Sequence, residues 1–201
     1  MPTAQSTIRI HDEATRLWHL EDTFSSGAEP LAQLMLAQHR ANFDLWHEED
    51  KARDPAASDA ELARVKHAID RLNQQRNDLV EQIDLHLLEA AGAQNPDAPL
   101  HSETPGLMID RLSILALKIY HTREEAHRAS ATEQHRQRNQ DRLALLEEQR
   151  ADLAGCLDML WNDVQHGRRR FKLYRQLKMY NDPELNPAVY GRMVSPPREL
   201  T

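Results

Sequence analysis

The sequence predicts an all-α fold: four long helices in an antiparallel bundle, with a short helix before them and a basic helix after them. Three observations carry this reading. Apolar residues recur at alternating steps of three and four, no window alternates at period two for long enough to make a strand, and breaks bearing proline or glycine cut the periodic stretches into helix-length pieces.

Residues 1 to 10 read as an extended or disordered lead-in, and a short helix follows from about Asp12 to Phe24, stopped by Ser25, Ser26 and Gly27. It carries an adjacent Trp18 and His19. Pro30 suits a first helical turn, where its missing N–H costs nothing, and Leu31, Leu34, Ala41 and Leu45 then run on until Asp54 and Pro55 end the element. Ser58 with Glu61 has the capping-box spacing that opens a second long helix. The seam of that helix is Leu62, Val65, Ile69, Leu72, Arg76, Leu79, Ile83 and Leu87. Two prolines and a glycine break the chain after Ala91, and Thr104 with Pro105 reopens a helix that is apolar on almost every face, so it should be the most central one. After a polar turn near Ser130 a fourth long helix runs to about Gln165 on the seam Leu143, Leu146, Arg150, Leu153, Leu157, Leu160 and Val164, with Gly167 as the stop. The basic segment up to Tyr180 is expected to be helical. Residues 1–180 are read as one helical-bundle domain and 181–201 as a turn-rich tail, since 201 residues suit a single core.

The stretch Leu72 to Asp84 returns as Leu146 to Asp158 at an offset of 74, with six identities in thirteen positions. At the same offset Leu45-Trp46-His47 faces Ile119-Tyr120-His121, which suggests two duplicated helical hairpins around a pseudo-twofold axis. Similar amphipathic helices obeying the same rules would give the same pattern by coincidence.

With 32 acidic against 25 basic residues the net charge is −7, which disfavours nucleic acid as a partner, because phosphate neutralisation needs a basic surface. The basic charge gathers between His166 and Tyr180 in six lysines and arginines without one acid. No run approaches the roughly 20 apolar residues needed to span a bilayer and the N-terminus has no apolar signal core, so no membrane insertion and a cytoplasmic location are expected. The lone Cys156 excludes an internal disulfide and reads as a small buried packing residue.

Three constellations could carry chemistry. Arg76 and Arg150 each occupy a seam position, where an unpaired guanidinium costs several kcal/mol, so each must meet a carboxylate such as Glu49, Glu81 or Asp110, or grip an anion. Asn77 lies on the polar stripe beside Arg76. His47 with Asp50 and His121 with Glu124 are i, i+3 pairs that present an imidazole and a carboxylate from one helix face. With Asp84 and Asp158 they would suggest a carboxylate-bridged dimetal bundle, although such bundles order the pair as Glu-x-x-His. The third constellation is the basic helix, where Lys172 and Tyr174 could close over an anion or dock on a protein partner.

The motifs NFDLWHEEDKARD, RLNQQRNDLVEQID, SETPGLMIDRLSILALKIYH, EEQRADLAGCLD and GRRRFKLYRQLKMYNDPELNP together resemble the bacterial domain-of-unknown-function family 4254, over about Trp18 to Tyr190. The resemblance implies a bacterial protein of this length, loosely associated with cell-envelope sugar transfer, and no established reaction. It marks Trp46, His47, Glu49, Asp50, Arg76, Asn77, Asp110, Arg150, Lys172 and Tyr174 as motif residues. The leading expectation is an anionic small molecule, nucleotide-like or phosphorylated, held in a polar cleft around Trp46, Glu49, Arg76, Asn77, Asp110 and Arg150. A non-enzymatic partner or scaffold and a dimetal enzyme are the alternatives. The sequence leaves any cofactor unknown and leaves open whether the protein is an enzyme.

Overall fold

The structure is a computed structural model that describes residues 3–21, 23–27, 29–175 and 185. Five helices account for most of them: α1 (Ala4–His19), α2 (Pro30–Lys51), α3 (Asp59–Ala91), α4 (Pro105–His127) and α5 (Glu133–Gln165). Among the described residues there is no strand, only a lone parallel bridge between Leu100 and Arg170. No helix among them is long and apolar enough to cross a membrane.

Each helix starts where a side chain can take up an orphan amide. Ser58 and Glu61 form the expected capping box of α3, and Thr104 and Thr132 cap α4 and α5. Glu29 caps α2 ahead of Pro30, its carboxylate accepting from the Ala32 amide at 2.6 Å. Gly167, at φ +65°, follows α5 in the left-handed region that glycine enters without strain.

Three boundaries differ from expectation, one of them the end of α1, which stops at His19 rather than near Phe24. The lead-in is helical from Ala4, because Thr3 caps α1 at its side-chain oxygen and Asp158 of α5 accepts the Ala4 amide at 2.9 Å. Thr7, His11 and Thr15 share its buried face with Ala4, Ile10 and Ala14, so half of that face is polar and hides from a hydrophobic pattern. The basic segment is not helical through Arg175, and its remainder lies outside the described residues, as does nearly all of the tail expected after Tyr180. Its backbone bonds the α3–α4 loop at Arg170 and Phe171. His101 donates to the Arg170 carbonyl at 2.8 Å, Gln94 bonds both the amide and the carbonyl of Phe171 at 2.9 Å, and the Phe171 ring is 2% exposed.

α2 packs along α3 and α4 along α5 as two antiparallel hairpins, and α4 touches all four other helices, as its apolar circumference predicted. The bundle is layered along its length. At one end Leu31, Met35, Ile83, Leu87, Met108, Ile109, Leu112, Leu157 and Phe171 form an apolar core, and truncating any one of its fully buried leucines would cost about 2–5 kcal/mol. The middle is polar, with Gln38, His39, Asn42 and Ser113 all buried. At the far end the C-terminal turns of α1, α2 and α4 bring aromatic rings and histidines together.

Aspartates at equivalent positions of the two matching stretches do the same job. Asp84 accepts the Gly106 amide at 2.7 Å and the Thr104 hydroxyl at the start of α4, while Asp158 accepts the Ala4 amide at the start of α1. Carboxylates at helix N-termini satisfy orphan donors and oppose the positive end of the dipole.

Candidate metal centre

The far end of the bundle is built from side chains whose backbone positions are fixed by three different helices. His19 closes α1, His47 lies near the end of α2 and His121 near the end of α4. One ring nitrogen from each lies within 4.8 Å of those from the other two. The rings are packed by their neighbours: Tyr120 stacks on His19 at 4.3 Å between centroids, Trp46 stacks on His121 at 4.8 Å, and Phe43 meets both His19 and His47 edge-on.

Hydrogen bonds fix which nitrogen each of two rings offers. His19 Nδ1 lies 2.7 Å from the Thr15 carbonyl, and His121 Nδ1 lies 2.9 Å from the Glu124 carboxylate. Both partners only accept, so Nδ1 carries the proton and Nε2 of each neutral ring keeps its lone pair. Both Nε2 atoms are buried and make no hydrogen bond. A bond from Nδ1 to the carbonyl four residues back is common at helix ends, and His127 and His166 make it too. What distinguishes His19 is where its other nitrogen points.

Burial favours the neutral form of two of these rings. Burial lowers the pKa of His47, with the neighbouring His19 and His121 adding to it against Asp50 and Asp44. Burial also lowers that of His121, opposed by the Glu124 hydrogen bond. Tetrahedral zinc would hold imidazole nitrogens about 3.3 Å apart, so side-chain closure of up to about 1.5 Å would seat the ion.

Behind His19 a polar network runs through the middle layer. The hydroxyl of Thr15 pairs with His39 Nε2 at 2.9 Å, and His39 Nδ1 pairs with the Ser113 hydroxyl at 2.7 Å. Asn42 Nδ2 donates to both Ser113 Oγ and Asp110 Oδ1 at 2.9 Å, and Gln38 adds a 2.5 Å bond to the same carboxylate. Burial lowers His39 to a pKa of about 3, so its ring stays neutral. His11 stacks on it at 4.5 Å, fully buried, with neither ring nitrogen bonded.

The residues marked in the sequence divide among several places. Trp46, Glu49, Asp50 and Arg76 line one cavity of about 390 Å³ with Asn42, Asn73 and Arg53. Arg76 faces Asp110 there, Nε to Oδ1 at 3.9 Å, beyond hydrogen-bond length, and its Nη2 reaches Asn77 at 3.5 Å. Arg150 is elsewhere: Nη1 bonds both carboxylate oxygens of Asp12 on α1, at 2.8 and 2.9 Å. The two seam arginines therefore each meet a carboxylate, on different helices, rather than gripping one ligand together. Of the four residues expected to bind metal, His47 and His121 converge. Glu124 orients His121, and Asp50 sits within reach of Arg53 at 3.4 Å. Lys172 and Tyr174 pair with each other, ammonium to ring centroid 5.2 Å, on the strap at the opposite end. Cys156 is exposed rather than buried, because it falls one position off the seam on the outer side of α5.

Sequence reasoning passed over His19, Thr15, His39 and Ser113. One signal was there: the seam of α2 jumps from Leu34 to Ala41, and the position it skips is Gln38, next to His39.

A family model described as a protein of unknown function (DUF4254) matches residues 32–173. The chain belongs to that family. No curated protein and no solved structure matches it. The part matched to DUF4254 holds His39, His47, Asp110, Ser113 and His121, while α1, which supplies His19 and Thr15, lies before it.

Proposed function

We propose that this DUF4254 protein is a metal-binding helical bundle that holds one divalent transition metal on His19, His47 and His121. The observation that carries the reading is the pair of buried, unbonded Nε2 atoms on His19 and His121, each turned inward by an Nδ1 bond to a fixed acceptor. A buried imidazole nitrogen without a partner is costly, and a metal satisfies it. Three imidazoles suit zinc and its neighbours in the transition series, and Glu124 and the Thr15 carbonyl stand where outer-shell acceptors stand in such sites. Three protein ligands leave a fourth position, so the ion would supply Lewis acidity to a bound water or oxyanion.

The dimetal arrangement has less support, since Asp84 and Asp158 are engaged at helix starts away from the histidines. An anion held jointly by Arg76 and Arg150 also loses its geometric basis.

Chelator-stripped protein should take up one equivalent of Zn²⁺, and Co²⁺ should give the visible absorption of a tetrahedral site. Each of His19→Ala, His47→Ala and His121→Ala should weaken uptake at least tenfold. Uptake that survives all three substitutions together would sink the reading.

A further inference from the structure

A cavity of about 920 Å³ lies between α1 and α4. That is the size of a small-molecule site rather than of a site for a free ion. Ile8, Ala116 and Ile119 give it apolar walls, and Tyr120 adds an aromatic one. Its charged lining is arginine and acid together, but two of the three acids are already engaged. Asp12 is held by Arg150, and Glu124 accepts from His121. Arg123 is taken by Glu147 at 2.8 Å. That leaves Arg9 and Arg16 against Glu13, and among the described residues neither arginine makes an ion pair or a hydrogen bond.

Arg9 and Arg16 are seven positions apart, two turns along one face of α1, so their Cα atoms stand about 10.5 Å apart along the axis. Two long guanidinium arms over that span can converge on one dianionic group or hold two parts of a larger ligand. The first turn of α1 also lines the cavity through Thr3, Gln5 and Ser6, at the end where the helix dipole favours negative charge.

We propose that this cavity binds an organic phosphate ester about the size of a nucleoside monophosphate, with Arg9 and Arg16 as its phosphoryl clamp and Tyr120 against its body. Forked guanidinium donors match a tetrahedral oxyanion in geometry as well as charge. This site does not depend on the histidine cluster, although Tyr120 and Glu124 form a wall common to both.

The test is calorimetric titration of the full chain in the presence of EDTA, so that the metal reading neither helps nor harms it. The probes are AMP, glucose 1-phosphate, malonate, and the uncharged adenosine and glucose. At least one phosphate ester should bind, its unphosphorylated counterpart should bind at least tenfold more weakly, and Arg9→Ala/Arg16→Ala should weaken the ester at least tenfold. Both arginines are exposed, so the double variant keeps its fold, which its melting curve verifies. Malonate binding as tightly as the ester would show a carboxylate site instead. No binding by either ester at millimolar concentration, equal binding of adenosine, or an unaffected double variant would each overturn the proposal.

Discussion

Glu124 lies one helical turn beyond His121 on α4, and the 2.9 Å bond between its carboxylate and Nδ1 decides which nitrogen of that imidazole is left free. The remaining nitrogen, Nε2, is buried beside those of His19 and His47. A surface carboxylate thus sets the chemistry of a nitrogen it never touches.

Glu124→Gln keeps the shape but weakens the acceptor and lets the amide present a donor instead. We expect Zn²⁺ affinity to fall about 10–100-fold, the usual cost of losing an outer-shell partner. Glu124 is about half exposed, so the melting temperature of the metal-free protein should hardly move. Competition against a chromophoric chelator, paired with thermal melting, separates the two effects.

Ser113 receives the His39 ring and the Asn42 amide in a site with no solvent exposure. Ser113→Ala leaves a buried nitrogen and a buried amide hydrogen unsatisfied and should cost about 1–3 kcal/mol in chemical denaturation. Since Thr15 ties this network to His19, metal affinity should drop as well. Unchanged metal affinity would show that the Thr15 carbonyl holds its position without the network.

Arg76 faces the largely buried Asp110 carboxylate, whose pKa is raised first by burial, with Asn42, Arg76 and Gln38 opposing. Arg76→Met should destabilise the protein by about 1–3 kcal/mol, because it strands a buried acid. Adding Asp110→Asn should recover much of that loss, a coupling that a double-mutant cycle measures directly. An anion-gripping Arg76 with no structural part would instead give a more stable single variant.

Asp84 is 2% exposed, and burial raises its carboxyl from 3.8 to about 6 against its bonds to Thr104 and Gly106. A raised folded-state pKa means that its contribution is fully present below pH 3.8 and fades as pH climbs to about 6. The change is on the order of 3 kcal/mol. Asp84→Asn should remove that slope, seen by comparing urea midpoints of the two proteins from pH 4 to 7. The buried His39, lowered from 6.5 to about 3, has the opposite sign: its contribution is present above pH 6.5 and is lost as pH falls.

At Gly106, a Cβ would come 2.7 Å from Asp84 Oδ1 and 2.8 Å from the Val80 carbonyl. Gly106→Ala should therefore push α4 off α3 and lower stability by several kcal/mol, because backbone on one side cannot yield. A melting temperature within a degree or two of the parent would contradict that packing.

The sequence by itself determined the all-α class, four of the five helix starts, the central place of α4 and the family, because caps, breaks and seams act within a few residues of one another. Ser58 finds Glu61 wherever the helix goes, and the residues of each seam need only their own spacing. It also gave two of the three histidines, since His47 and His121 each sit in a local i, i+3 pair. That His19 joins them, that Arg76 and Arg150 part company, and that the basic segment is not helical but bonds Gln94 were settled by tertiary contacts. Those outcomes depend on where helices far apart in the chain meet, and a polar residue on a buried face looks the same in sequence whether it meets a carboxylate, a hydroxyl or a metal.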